Sequence, residues 1–433
     1  MDWEVKYYPD YWVGRKLAYP HVPKEAPKFA RTMVIGNLIF VSGCTGQDTI
    51  KGTPTSDKFE DQMNMALLKV KMAMEEAGSS MDNVVKTVML VKNLSEYPKM
   101  RRTEVEYYIN NAPFLIDNPP ASTFIAPASL AKPEFLIEID VIGVLDRNVP
   151  GWETKFYPDF WGGKKLAYPH VSKEHPKFAR TEVVGNMVIV SGCEALNQET
   201  LKTETMDIKE QTLICLEKVK GGMEEIGSSL DNLVKTYVLL TRIEDYPAYQ
   251  EAEREFFLKY APSLAKNPPA TTIINVSSLA LPEFLVEVEA FGVVDKKRKG
   301  WESRSYPEHP EKGAKASRSG TIGKLVFLSG IDGSEPDSGK MESDDIELQV
   351  AAALDKARSY LEESGSSLDN ILKTFMLLKR LDHYPRMRRA EVEYYQKHAP
   401  HLVDFPPVST FMQLSNFTNQ RALFEVDITA LLK

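Results

Sequence analysis

The decapeptide GSSMDNVVKT that begins at Gly78 returns as GSSLDNLVKT at Gly227 and as GSSLDNILKT at Gly365. A long internal repeat constrains a fold more than any local propensity, because every copy must close the same supersecondary unit. The offsets of 149 and then 138 residues hold for other landmarks: Ser42-Gly43, Ser191-Gly192 and Ser329-Gly330; Gln62, Gln211 and Gln349; Pro120, Pro269 and Pro407; Glu138, Glu287 and Glu425. Trp3, Trp152 and Trp301 are instead spaced by 149 both times, as are Pro9, Pro158 and Pro307. The third copy therefore lacks 11 residues between Pro307 and Arg318, among them the counterpart of LAYPHV at Leu17–Val22 and Leu166–Val171. Three domains follow, 1–149, 150–298 and 299–433, the last without that N-terminal segment.

Within the first unit, Thr32 to Ser42 alternates around the turn Gly36-Asn37 and predicts a β-hairpin. Met63, Leu67, Val70 and Met74 recur at helical spacing, with Ser56 or Asp57 as cap and Gly78 as terminator. Val84 to Val91 reads as a buried strand and Glu96 to Asn110 as a second helix. After the break at Pro119-Pro120 come strands from Ser122 to Ala126 and from Leu136 to Val144. The unit is α+β, with helices on one face of a largely antiparallel sheet.

Composition bounds the function classes. The 433 residues are 43% hydrophobic and 26% charged, the balance of a folded, water-soluble chain. A formal net charge of -8 argues against an extended nucleic-acid or anionic-membrane surface, which needs clustered positive charge. The first residues lack the pattern of a signal peptide, and no uncharged apolar run is long enough to span a bilayer, so a cytoplasmic protein is expected. Cys44, Cys193 and Cys215 form no CxxC pair and are odd in number, which suggests reduced thiols rather than disulfides or a thiolate zinc site. No metal-ligating His pattern and no glycine-rich nucleotide loop appears, and no cofactor is expected.

The order of landmarks in each copy is a GN or GK hairpin, Ser-Gly, a helix with an early Gln, GSSLDNLVKT, Pro-Pro with a strand, and a closing strand carrying Glu. It resembles the Rid (YjgF) family of reactive-intermediate deaminases over almost the whole chain. The resemblance implies three tandem chorismate-mutase-like domains forming an intramolecular pseudo-trimer, with small-molecule clefts between domains. The partner expected is a small-molecule substrate, with no nucleic acid and no membrane. The sequence leaves open whether the monomeric pseudo-trimer pairs into dimers.

The resemblance also marks departures. Imine-hydrolysing members of the family carry a carboxylate-binding Arg directly after the Pro-Ala of NPPAST, where this chain has Ser122, Thr271 and Ser409. The family's Gln after Ser-Gly is Cys44, Cys193 and Ile331, and its Asn on the second helix is Arg101, Gln250 and Arg388. Its early aromatic is Phe29, Phe178 and Ala316.

Glu138, Glu287 and Glu425 match the family's water-positioning glutamate and are the catalytic candidates. Asp140, Glu289 and Asp427 follow two residues later, on the same strand face, and could form acid–base pairs with them. The substrate-binding candidates are Arg31, Arg180 and Arg318, the three hydroxyl positions Ser122, Thr271 and Ser409, the thiols Cys44 and Cys193, and His21 and His170 in LAYPHV. An inter-domain salt bridge would account equally well for the Arg31 set. A solvated helix face is expected for Arg101 and Arg388. Lys86, Lys235 and Lys373 could pair with Ser42, Ser191 and Ser329 as Ser–Lys nucleophiles.

These features predict a hydrolase or deaminase acting on C–N bonds of a small polar metabolite. Ordinary 2-iminoacid substrates are disfavoured by the missing Arg. The rivals are a ligand-binding or regulatory protein without turnover, and a cyclic-amide ring-opening hydrolase of barbiturase-like three-domain architecture. An endoribonuclease is the least favoured, given the acidic balance. Because only two copies hold LAYPHV, the three clefts are expected to be unequal.

Overall fold

The computed structural model describes residues 3–9, 11–12, 15–16, 29–48, 51–158, 160–161, 164–165, 178–197, 200, 202–308, 316–336 and 338–433. LAYPHV in both copies, with His21 and His170, lies outside the described residues. Among the described residues no helix is long and apolar enough to cross a membrane.

The first repeat has the predicted order. Strands Ala30–Ile35 and Leu38–Thr45 form the hairpin, whose turn needs the positive φ of +58° that Gly36 supplies. Helix Phe59–Glu76 follows, then strand Val84–Val91, helix Tyr97–Asn111, strand Ala121–Ile125 and strand Ile137–Val144. The expected cap is displaced: the first helix starts after Lys58, which makes no side-chain cap bond, and Ser56 instead accepts from the Lys58 N–H. In the other copies the cap position holds Asp207 and Asp345, and each accepts two backbone N–H groups. The sheet is mixed, because Val84–Val91 pairs antiparallel with Ile137–Val144 but parallel with Ala121–Ile125. A parallel neighbour is possible because a whole helix lies between those two strands.

Both faces of the central strands are buried, for two different reasons. Ile137, Ile139 and Val141 pack under the helices of their own repeat. Val85, Val88, Leu90, Ile142 and Val144 instead join an apolar cluster with Val234, Tyr237 and Leu239 of the second repeat and Leu372, Phe375 and Leu377 of the third. Trp3, Trp152 and Trp301, one from each repeat, meet edge to face at 4.7–5.1 Å in this shared core.

The repeated Pro-Pro motif is the joint between units. Pro407 C=O accepts from Ala30 N–H, Pro120 from Ala179, and Pro269 from Ser317, at 3.0–3.2 Å. One-residue parallel pairings at the same places link third repeat to first, first to second, and second to third. The repeats thus close on one another within one 19-stranded sheet. The serine of each Ser-Gly completes the joint. Ser42 Oγ donates to Ala30 C=O (2.5 Å) and accepts from the Ser409 N–H (2.8 Å), and Ser191 and Ser329 do the same with Ser122 and Thr271.

Candidate functional site

Each Ser-Gly also shapes a glutamate. The pairing of Leu38–Thr45 with Ile137–Val144 shifts register between Val41 and Cys44, and the bulge places Gly43 beside Glu138. A Cβ at Gly43 would stand 1.8 Å from Glu138 Oε1, and those at Gly192 and Gly330 would stand 1.7 and 2.0 Å from the same oxygen of Glu287 and Glu425. The carboxyls therefore lie folded over a glycine, and Glu138 reaches the neighbouring third repeat at Phe411. Gly43→Ala is expected to drive Glu138 into another rotamer, visible in a crystal structure of the variant, because only the acid can give way.

Burial sets the protonation of these acids. Glu138 is 4% exposed, and desolvation outweighs the N–H that Phe411 donates to its Oε1 (3.4 Å). Its pKa rises from 4.5 to about 8. Burial likewise raises Glu425 to about 8 and pushes Glu287 well above the ordinary range.

The expected carboxylate pair does not form one acid–base unit. Asp140 shares the strand face but is held by Lys373 Nζ (2.5 Å) and by the Thr410 hydroxyl (2.5 Å) of the third repeat. Lys86 bonds Glu289 at 2.8 Å, and Lys235 bonds Asp427. Each lysine thus neutralises an acid of the next repeat, in a ring of three buried pairs. These lysines are not bonded to Ser42, Ser191 or Ser329, whose hydroxyls are used in the joints, so the Ser–Lys arrangement is not assembled.

Around Glu138 the first and third repeats enclose a cavity of about 280 Å³, lined among others by Phe29, Arg31, Cys44, Lys69, Tyr384, Arg388, Ser409 and Phe411. The expectation of a solvated helix face for Arg101 and Arg388 is overturned: each is 2% exposed. Arg388 bonds Glu391 at 2.7 Å and reaches Ser409 Oγ at 3.1 Å, with its guanidinium over the Tyr384 ring. Arg101 repeats this with Glu104 at 2.8 Å and Ser122 at 3.5 Å. The hydroxyl after Pro-Pro-Ala or Pro-Pro-Val thus carries a cation behind it, delivered from the second helix. In the cleft between second and third repeats Gln250 replaces the Arg, so Glu253 is left with Tyr249 and its pKa climbs to about 7 through burial.

Arg31 lines the cavity but pairs with Glu76 of its own repeat at 3.4 Å, and Arg318 pairs with Glu363 at 3.2 Å. Both are salt bridges within a repeat rather than between domains. Arg180 lines a small pocket with Phe178, Ser191, Cys193, Glu194 and Lys218 of its own repeat. Cys44 and Cys193 are buried in their clefts and donate to Ser42 and Ser191 C=O at 3.4 and 3.3 Å. The lysine triplet Lys69, Lys218 and Lys356, overlooked in the sequence, also belongs here. Its signal was plain, since it keeps both repeat offsets on the buried side of a helix.

A chain of three joined α+β units with buried glutamates facing the seams between them is defined by these features. The model of the Endoribonuclease L-PSP family matches residues 20–145, 173–294 and 308–432, and the chain belongs to that family three times over. A RutC family protein of Pyrococcus abyssi is 35% identical over 107 residues, covering 25% of this chain and 78% of the relative. The 2-iminobutanoate/2-iminopropanoate deaminase of Dermatophagoides farinae is 24% identical over 132 residues, covering 30% of this chain and 97% of that protein. A crystal structure of chorismatase aligns over 81% of this chain and 93% of its own with a TM-score of 0.50 and 11% identity, a likeness of fold alone.

Proposed function

We propose that the cleft between third and first repeats hydrolyses the C=N bond of a small carboxylate-bearing imine, releasing ammonia and a carbonyl compound. The observation that carries this reading is a carboxyl of pKa about 8, Glu138, in the same cavity as the Arg388–Ser409 pair. Such an acid is protonated at neutral pH and can act first as donor and then as acceptor. Glu138 gives its proton to the imine nitrogen. The resulting carboxylate takes a proton from water as the water oxygen bonds the carbon. Glu138 then protonates the amine, the C–N bond breaks, and the proton of the carbinol hydroxyl returns to Glu138 as ammonia leaves.

The strand position that carries Arg in imine-hydrolysing relatives is Ser409 here, and the sequence alone therefore disfavoured imino acids. Arg388 removes that objection. Ser409 Oγ accepts from Arg388 and keeps its own proton to donate to a substrate carboxylate, with the guanidinium charge directly behind it. The deaminase name of the Dermatophagoides farinae relative supports the same chemistry.

The test is release of ammonia and pyruvate from 2-aminoacrylate generated in situ. Arg388→Gln copies the residue that repeat 2 already tolerates, and it is expected to lower kcat/KM about 10- to 100-fold, the worth of one charge-assisted hydrogen bond. Wild-type protein that releases neither product would overturn the reading.

A further inference from the structure

The N-terminal strands Val5–Pro9 and Ser303–Pro307 begin the first and third repeats, and each runs beside the segment that precedes Pro-Pro in the repeat before it. Where the third repeat meets the first, this place is aromatic: Phe405 stacks on His401 at 4.8 Å and meets Tyr7 edge to face at 5.3 Å. Where the first meets the second, the Arg147 guanidinium lies over Phe114 at 4.9 Å and donates to Asp82 C=O (3.2 Å) and Val84 C=O (2.8 Å). By the repeat spacings, the counterparts of His401, Phe405 and Tyr7 at the seam of second and third repeats are Ser263, Asn267 and Ser305, and that of Arg147 is Lys296. Each of these rings has become a short polar side chain there, while the cation is kept. The result is a cavity of about 450 Å³, roomy enough for a small metabolite. Ser303, Arg304 and Tyr306 complete its lining, which holds two cations and, among the described residues, no carboxylate, and which shares no residue with the cavity around Glu138.

We infer that this cavity binds a small phosphate monoester, with the phosphoryl group between Lys296 and Arg304. Among the described residues neither side chain is in an ion pair. The acids whose charges they feel are Asp231 and Glu302, and both already accept other donors, Asp231 from the Ser263 hydroxyl and Glu302 from the Gly300 N–H at 3.0 Å. Burial draws the Lys296 pKa below its ordinary value despite Asp231. An ammonium partly out of water and in contact with no anion gains when one arrives. Two cations match the charge of a phosphate dianion, where a carboxylate would leave one of them unmatched. Its three outer oxygens take the Arg304 fork, the Lys296 point charge and the hydroxyls of Ser303 and Ser305. The ligand is a small soluble one, because a net charge of -8 repels extended polyanions and anionic bilayers.

Calorimetric titration of the full chain with glycerol 3-phosphate, followed by crystals soaked in it, tests this. One saturable site per chain is expected, with the phosphoryl oxygens within hydrogen-bond distance of Lys296 Nζ and the Arg304 guanidinium. Lys296→Met should weaken binding about 10- to 100-fold, the worth of a charge-assisted hydrogen bond. Ser263→Phe/Ser305→Phe, which restores the rings that the first two repeats carry at Phe114 and Phe156, should abolish binding while keeping both cations. An unchanged urea midpoint shows that each variant is folded. Glycerate, with a carboxylate in place of the phosphate, should bind at least about 10-fold more weakly. No saturable site, a phosphoryl group seated elsewhere, equal affinity for glycerate, or full affinity in folded Lys296→Met would overturn the proposal. So would binding to vesicles containing phosphatidic acid without binding of free glycerol 3-phosphate.

Discussion

Glu138→Gln is expected to abolish hydrolysis and at the same time to make the protein more stable. Loss of the proton donor and acceptor should lower kcat by about 10²–10⁴-fold. The stability gain follows from linkage. The folded pKa of about 8 lies above the ordinary 4.5, so the wild-type carboxyl is ionised in the unfolded chain and neutral in the folded one across that interval. Its contribution to folding is fully present below pH 4.5 and is lost as pH rises towards 8. An amide has the same shape, still accepts from the Phe411 N–H, and carries no such loss. At about 1.4 kcal/mol per unit, the variant should be roughly 3 kcal/mol more stable than wild type at pH 7, and only a few tenths more near pH 4.5. Urea unfolding at pH 5 and pH 8 measures the difference. Equal gains at both would mean that Glu138 is already ionised at neutral pH, and its role as the first proton donor would fall. Glu425→Gln should show the same stability pattern without loss of turnover, since its cleft lacks the arginine and holds the Asp332–Lys356 pair.

The second large effect belongs to the ring of lysines. Lys235 is fully buried, and its Nζ bonds Asp427, the Thr272 hydroxyl (2.7 Å) and Leu328 C=O (2.6 Å). Lys235→Met leaves Asp427 with Tyr237 and Thr272 as donors but no counter-charge, and is expected to cost about 3–5 kcal/mol. Lys235→Met/Asp427→Leu removes both charges and should recover most of that loss, because two desolvation penalties vanish together. Urea denaturation of the full chain decides between outcomes. A single variant that unfolds within about 1 kcal/mol of wild type would show that the pair is not a charged one. Because each pair bridges two repeats, the loss should loosen the seam of second and third repeats without touching the Glu138 cleft.

Much of the architecture was written locally. The tripled GSSxDN decapeptide, the spacing of Met63, Leu67, Val70 and Met74, and the Gly36-Asn37 turn each encode structure through neighbours a few residues away, and the elements fell close to where those patterns placed them. The family and the three-unit organisation were legible for the same reason. The site was legible only in part. Glu138 and Asp140 share a strand face, and alternation made them look like partners. Which one meets a cavity and which one meets Lys373 depends on a contact 233 residues apart in the chain. Arg388 sits in a charged helix that reads as solvated, because a pattern along one chain segment cannot register the repeat that packs over it.

The sequence by itself determined the unit, its threefold recurrence and the glycine that every glutamate needs. Only the closure of the repeats decided which acids pair with a lysine, which arginines lie behind a hydroxyl, and which glutamate meets a cavity. Those properties arise where side chains from two repeats desolvate one another, and burial at a seam is a property of the pair of surfaces rather than of either segment.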